Sequence, residues 1–102
     1  RVPTPNVSMI DLKCVLATAV SEEEVNAKML EASKGYLGGV LAVNKLPLVS
    51  VDFNHNPASS IFDSTQTKVL EGDFLRVLAW YDNEWGFSNR MLDTLVAMGH
   101  HL

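Results

Sequence analysis

Cysteine is almost absent from this chain of 102 residues: Cys14 stands alone. A lone cysteine excludes an internal disulfide and any cysteine-based zinc site. Long apolar runs are missing too. Although 47% of the residues are hydrophobic, no run approaches the roughly 18 residues of a membrane-spanning helix. Basic charge is scarce, with 8 Lys plus Arg against 12 Asp plus Glu and a formal net charge of −4. That balance gives no general electrostatic footprint for nucleic acid or for an anionic membrane surface. A leader pattern is also lacking, because Arg1 is followed by Pro3 and Pro5 rather than by an apolar stretch. These absences predict a soluble, cytoplasmic protein. The length suits one domain with one core. The chain opens on Arg1, not Met, and enters apolar sequence within a few residues, which reads as the middle of something longer.

What is present has a clear local grammar. Val7 to Leu16 reads as a strand, with Ile10, Leu12, Cys14 and Leu16 on one side and Asp11 and Lys13 on the other. Ser21 followed by Glu24 is a capping box, and Glu22, Glu23 and Glu24 suit the positive end of a helix dipole. Val25, Met29 and Ala32 recur at helical spacing and Gly35 supplies a stop, so a helix is expected over about 22–34. Leu48 to Phe53 reads as a short strand with Val49, Val51 and Phe53 on one side. Asn54-His55-Asn56-Pro57 is turn chemistry. Ser60 to Leu70 alternates weakly. Glu71-Gly72-Asp73 reads as a hairpin turn, and Phe74 to Tyr81 as the returning strand. Met91, Leu92, Leu95, Val96 and Met98 form an apolar stripe on a last helix over about 87–98. The order strand, helix, three strands, helix predicts an α+β fold with a mixed, largely antiparallel sheet and helices on one face.

Most candidate chemistry along the chain has a structural explanation. Gly35-Tyr36-Leu37-Gly38-Gly39 lacks dinucleotide-loop spacing and follows a helix, so it reads as a cap and turn. Cys14 lies mid-strand between Leu12 and Leu16, which suggests a buried, inert thiol. His55 sits in a turn, and His100 and His101 are adjacent at the terminus, so no metal site is expected. Arg1 precedes the stiff run Val2-Pro3-Thr4-Pro5. Its guanidinium suits phosphate, although a lone arginine is more often a surface charge. The run Trp80-Tyr81-Asp82-Asn83-Glu84-Trp85-Gly86-Phe87 is the most unusual. Asp82 or Asn83 suits an N-cap, with the aromatics stapling the helix to the sheet. An Asn at a helix entrance also offers a donor and an acceptor to a planar amide on a ligand.

Three separated motifs in order carry a family resemblance. They are Arg1-Val2-Pro3-Thr4-Pro5-Asn6-Val7-Ser8, Leu48-Val49-Ser50-Val51-Asp52-Phe53 and Trp80-Tyr81-Asp82-Asn83-Glu84-Trp85-Gly86. Together they closely resemble the C-terminal part of the phosphorylating glyceraldehyde-3-phosphate dehydrogenases. Glu24-Val25-Asn26 and Ser59-Ser60 with Asp63 fit as well, and Asn54-His55-Asn56-Pro57 has a bacterial look. The paralogous D-erythrose-4-phosphate dehydrogenases share the Asn54-His55 turn and a similar Asn89–Thr94 helix. Tyr81 and Ser88, where the paralogue carries Cys and Ala, favour the glyceraldehyde-3-phosphate group.

The resemblance implies a two-domain subunit in a homotetramer. A Rossmann domain binds NAD, and a catalytic domain contains the mixed sheet. Residues 1–86 would be part of the catalytic domain, and 87–102 a C-terminal helix packed on the Rossmann domain. It implies that Arg1 binds substrate or inorganic phosphate, and that Asn83 hydrogen-bonds the nicotinamide carboxamide. It further implies that Tyr81 lines the site and that Phe87, often Tyr in the family, makes a weaker cofactor contact. The implied chemistry is attack of a cysteine thiolate on glyceraldehyde 3-phosphate, proton removal assisted by a histidine, hydride transfer to NAD, and release by inorganic phosphate as an acyl phosphate. The family's nucleophilic cysteine motif, catalytic histidine and dinucleotide glycines have no counterpart in this sequence. The 102-residue chain alone is therefore expected to be inactive. Two alternatives stay open: an erythrose-4-phosphate enzyme, and a non-catalytic folding or assembly module that self-associates through its exposed faces.

Overall fold

A computed structural model describes residues 3–102. The elements run β1 (Ser8–Val15), α1 (Glu22–Lys34), β2 (Leu41–Asn44), a 3-10 helix over Ser50–Phe53, β3 (Ser60–Asp63), β4 (Lys68–Leu70), β5 (Phe74–Tyr81) and α2 (Trp85–Gly99). The strands form one five-stranded sheet in which β5 is paired on both sides. β1 lies antiparallel along its whole length, from Ser8 opposite Tyr81 to Val15 opposite Phe74. On the other side, β4 pairs with one end of β5 and β3 with the other end, both antiparallel. β2 then adds to β3 in parallel. The sheet is thus mixed and largely antiparallel, as the sequence pattern predicts; of the two helices, α1 packs against β2.

Where local chemistry is complete, sequence and structure coincide. The Ser21 hydroxyl oxygen accepts the Glu24 N–H at 3.2 Å, and the Glu24 carboxylate accepts the Ser21 N–H at 2.7 Å. This reciprocal box starts α1 at Glu22, and Gly35 N–H bonds to Glu31 and Ala32 carbonyls end it. Asn26 ties α1 to the β3–β4 turn: its amide donates to Ser64 O at 3.2 Å, and its carbonyl accepts the Thr67 hydroxyl at 2.7 Å. The 70–74 hairpin closes through Glu71 and Gly72, both at positive φ (53° and 86°). Two successive left-handed residues match the right-handed twist of the flanking strands.

Four expectations need correction. Leu48–Phe53 is not a strand. The Asp52 carboxylate accepts the Val49 N–H at 2.9 Å, and Asn54 N–H bonds to Val51 O, which winds the segment into a 3-10 turn. Phe53 is buried, while Val49 and Val51 face outward. Ser60–Leu70 is two strands, β3 and β4, split because Asp63 captures the Thr65 N–H and hydroxyl at 3.1 and 2.6 Å. β2 has no counterpart in the sequence reading. Cys14 is only half-buried, because its neighbours on the same side of β1, Ile10 and Leu12, are 54% and 52% exposed.

The core gathers Val7, Phe53, Ala58 and Ile61, with Ala42, Leu48 and Trp80 packed against them. It lies under the end of β5 from which the Trp80–Phe87 run departs. Among the described residues, no helix is long and apolar enough to cross a membrane.

Candidate functional site at the β5–α2 junction

Trp80 anchors the junction. Its indole N–H donates to the Asp63 carboxylate at 2.9 Å, and its ring stacks on Phe53 with centroids 5.5 Å apart. The chain then leaves the sheet at Tyr81 and turns through Asp82 into α2. The sequence offers Asp82 or Asn83 as N-cap; α2 is instead capped at Glu84, and the Asp82 side chain holds the turn that leads into it. One carboxylate oxygen accepts the N–H groups of Glu84 and Trp85 at 3.0 and 2.9 Å. The other accepts the His55 N–H at 2.9 Å and the Asn6 side-chain amide at 3.0 Å. His55 is held at φ 61°, and its ring stacks on Trp85 at 4.9 Å and 13° between planes. The aromatics therefore staple the junction to the 54–57 turn as well as to the sheet.

The Asp82 carboxyl is 1% exposed. Burial alone pushes its pKa up. The Trp85, His55 and Glu84 N–H groups and the Asn6 amide outweigh that penalty, and the net direction is down from the ordinary aspartate value. Below the ordinary value of about 3.9 the unfolded chain binds the proton more readily, so Asp82 contributes its full stabilisation above that pH and loses it as pH falls towards the lower folded value. An Asp82→Asn variant of the full-length polypeptide should therefore show its largest deficit in melting temperature at neutral pH. The deficit should shrink below about pH 4. A deficit that stays constant from pH 7 to pH 3 would contradict this assignment.

A pocket of about 290 Å³ opens beside the junction, lined by Ser59, Tyr81, Asp82, Asn83, Phe87 and Arg90. Asn83 is exposed at its edge, and its side chain makes no hydrogen bond among the described residues. Arg90 reaches across, donating to Gly39 O at 2.9 Å and to the Ser59 hydroxyl at 3.4 Å, while pairing with Asp93 at 2.6 Å. Its Nε is buried without a partner among the described residues. Beyond the pocket, an exposed apolar stripe runs along α2 through Phe87, Met91, Leu95 and Met98. An exposed primary amide beside two aromatic rings offers a donor and an acceptor to a planar amide on a ligand.

The sequence matches the family described as "Glyceraldehyde 3-phosphate dehydrogenase, C-terminal domain" over residues 1–83. The chain belongs to this family. It is 62% identical over 99 residues to the glyceraldehyde-3-phosphate dehydrogenase of Xanthobacter flavus, which covers 97% of this chain and 30% of that protein. It is 62% identical over 100 residues to the chromosomal enzyme of Cupriavidus necator, covering 98% of this chain and 30% of the relative. With the Cereibacter sphaeroides enzyme it shares 59% identity over 102 residues, which is 100% of this chain and 31% of the relative. The chain thus spans about 30% of the length of the curated glyceraldehyde-3-phosphate dehydrogenases it matches.

Of the sequence-predicted site residues, Tyr81, Asn83 and Phe87 come together at one pocket. Arg1 lies outside the described residues. Ser59 and Arg90 also line this pocket, outside the set that the sequence predicts. Arg90 stands three positions after Phe87 on α2, a helical neighbour that spacing alone could have flagged. The role of Ser59 has no such local signal, because it is brought in by the close approach of α2 to the 58–59 backbone.

Proposed function

We propose that this chain is the nicotinamide- and phosphate-facing part of an NAD-dependent, phosphorylating glyceraldehyde-3-phosphate dehydrogenase. The carrying observation is Asn83, an exposed primary amide at the edge of a pocket lined by Tyr81 and Phe87. Asn83 offers one acceptor and two donors to a carboxamide. Its contribution is orientation: holding the carboxamide selects which ring face meets the aldehyde carbon. Tyr81 and Phe87 exclude water from one edge of that ring. NAD, when bound, supplies the hydride acceptor. Arg1 is assigned to phosphate charge, of the substrate or of the inorganic phosphate that yields the acyl phosphate. Residues 1–86 are assigned to the catalytic domain. The helix over 87–102 is assigned to packing on the cofactor-binding domain. The exposed apolar stripe along α2 supports this, since Phe87 and Leu95 are each 65% exposed. A homotetramer in the cytoplasm completes the reading.

The test uses the full-length polypeptide that carries this sequence. It should reduce NAD with glyceraldehyde 3-phosphate only when inorganic phosphate is present, and faster than with erythrose 4-phosphate. Asn83→Ala should lower kcat/KM for NAD by about 30-fold, with KM for the aldehyde little changed. Wild-type cofactor kinetics in that variant would sink the assignment of Asn83.

A further inference from the structure

The two oxygens of the Asp82 carboxylate serve different parts of the chain. Oδ1 takes two N–H groups at the start of α2, those of Glu84 and Trp85. Oδ2 takes the His55 N–H and the Asn6 amide, and Asn6 also donates to the Asn54 side-chain oxygen at 2.7 Å. Asn83 sits between the two halves of this arrangement. The residue before it is the carboxylate itself, and the residue after it has its N–H held by that carboxylate. The Asn83 backbone is therefore fixed on both sides while its own amide stays at the pocket edge. A cap needs only one oxygen and one or two N–H groups. Four donors from three segments go beyond capping, and they require a group that accepts on both oxygens. An asparagine cannot replace it, because its NH2 would face two donors.

We propose that Asp82 is a positioning residue for Asn83. By tying the start of α2 to the 54–57 turn and to Asn6, it fixes where the Asn83 amide points into the pocket. This rests on the reading of Asn83 as the group that orients the nicotinamide. A misplacement of about 1 Å at such a group costs up to about 100-fold in rate. A pin that locks the backbone on both sides of Asn83 is therefore part of how the pocket is set.

Two readouts on the full-length polypeptide test this. Without cofactor, Asp82→Asn should speed amide exchange at Glu84 and Trp85 by about tenfold more than at Phe62, whose amide follows only the global loss of stability. With NAD, Asp82→Asn should lower kcat/KM for the cofactor by about tenfold and leave KM for the aldehyde within about twofold. In an Asn83→Ala background the same substitution should add less than about twofold, although its loss of melting temperature persists, because its kinetic effect passes through Asn83. Asn6→Ala removes one of the four contacts and is the milder probe if Asp82→Asn does not fold. It should give about a threefold loss that likewise vanishes with Asn83→Ala. Losses that multiply in the double variants, or unchanged cofactor kinetics in both single ones, overturn the proposal and leave the Asn83 reading standing. An Asn83→Ala variant with wild-type cofactor kinetics overturns the reading itself.

Discussion

Phe62→Ala is expected to destabilise the protein by about 3–5 kcal/mol, the range for emptying a fully enclosed phenylalanine site. Phe62 is 1% exposed, in the middle of β3. β3 joins the parallel strand β2 to the antiparallel remainder of the sheet. Its register partners are Val43 on one side and Ala79 on the other. Neither is large enough to fill the space left by the ring, and the sheet backbone cannot collapse inward without breaking its ladder. Hydrogen exchange in the full-length polypeptide reads this directly. Protection of the β3 and β5 amides should fall by about a hundredfold to several thousandfold, since about 1.4 kcal/mol is a factor of ten. By contrast, Leu95→Ala in the 102-residue chain should change little, because that side chain is already exposed. A loss below about 1 kcal/mol for Phe62→Ala would mean that β3 is not the joint on which the sheet depends.

That dependence explains which parts of the fold were legible. α1 was readable because its signals are local: Ser21 and Glu24 satisfy one another, and Gly35 follows the last turn. The 70–74 hairpin was readable because a glycine stands where positive φ is needed. β2 was not readable. Its four residues carry no pattern of their own, and they are a strand only because β3 lies parallel beside them. Leu48–Phe53 failed the opposite way. Its alternation fits a strand, but a single carboxylate, Asp52, takes a backbone N–H and winds it into a 3-10 turn. Ile10 and Leu12 show a further limit, since alternation marks an apolar side without saying what covers it.

The site divides along the same line. Tyr81, Asn83 and Phe87 are close in sequence, so a motif could place them together, and the structure does place them at one pocket. Ser59 and Arg90 complete that pocket through tertiary approach. That the Asp82 carboxylate serves the helix entrance was legible from its place before α2, although the cap residue itself is Glu84. Its second oxygen was not, because His55 and Asn6 come from distant segments.

Gly86 makes the tertiary approach of α2 possible, and replacing it carries the second large effect. It is buried in the first turn of α2, and a Cβ there would stand 2.9 Å from Ala58 O, with the Ala58 carbonyl carbon and Ser59 Cα both at 3.7 Å. Helix propensity taken alone favours Ala over Gly by about 1 kcal/mol, so substitution would stabilise a free helix. The contact reverses that sign, because the obstructing atoms are backbone and cannot rotate away. The helix start must lift, which strains the two Asp82 bonds to Glu84 and Trp85 and moves Phe87 and Arg90 off the pocket. Gly86→Val adds two branches to the same collision and should destabilise by about 3 kcal/mol, with Gly86→Ala giving a smaller loss of the same sign. Gly99→Ala is the matched control, since nothing lies within 4 Å of a Cβ at that end of α2. It should be neutral or slightly stabilising. On the proposed reading of Asn83, Gly86→Val should also lower kcat/KM for NAD in the full-length polypeptide, because the helix start that it displaces carries Asn83 at its entrance. A Gly86→Ala protein as stable as Gly99→Ala would show that α2 does not sit against Ala58, and the pocket would then lose the wall formed by Ser59.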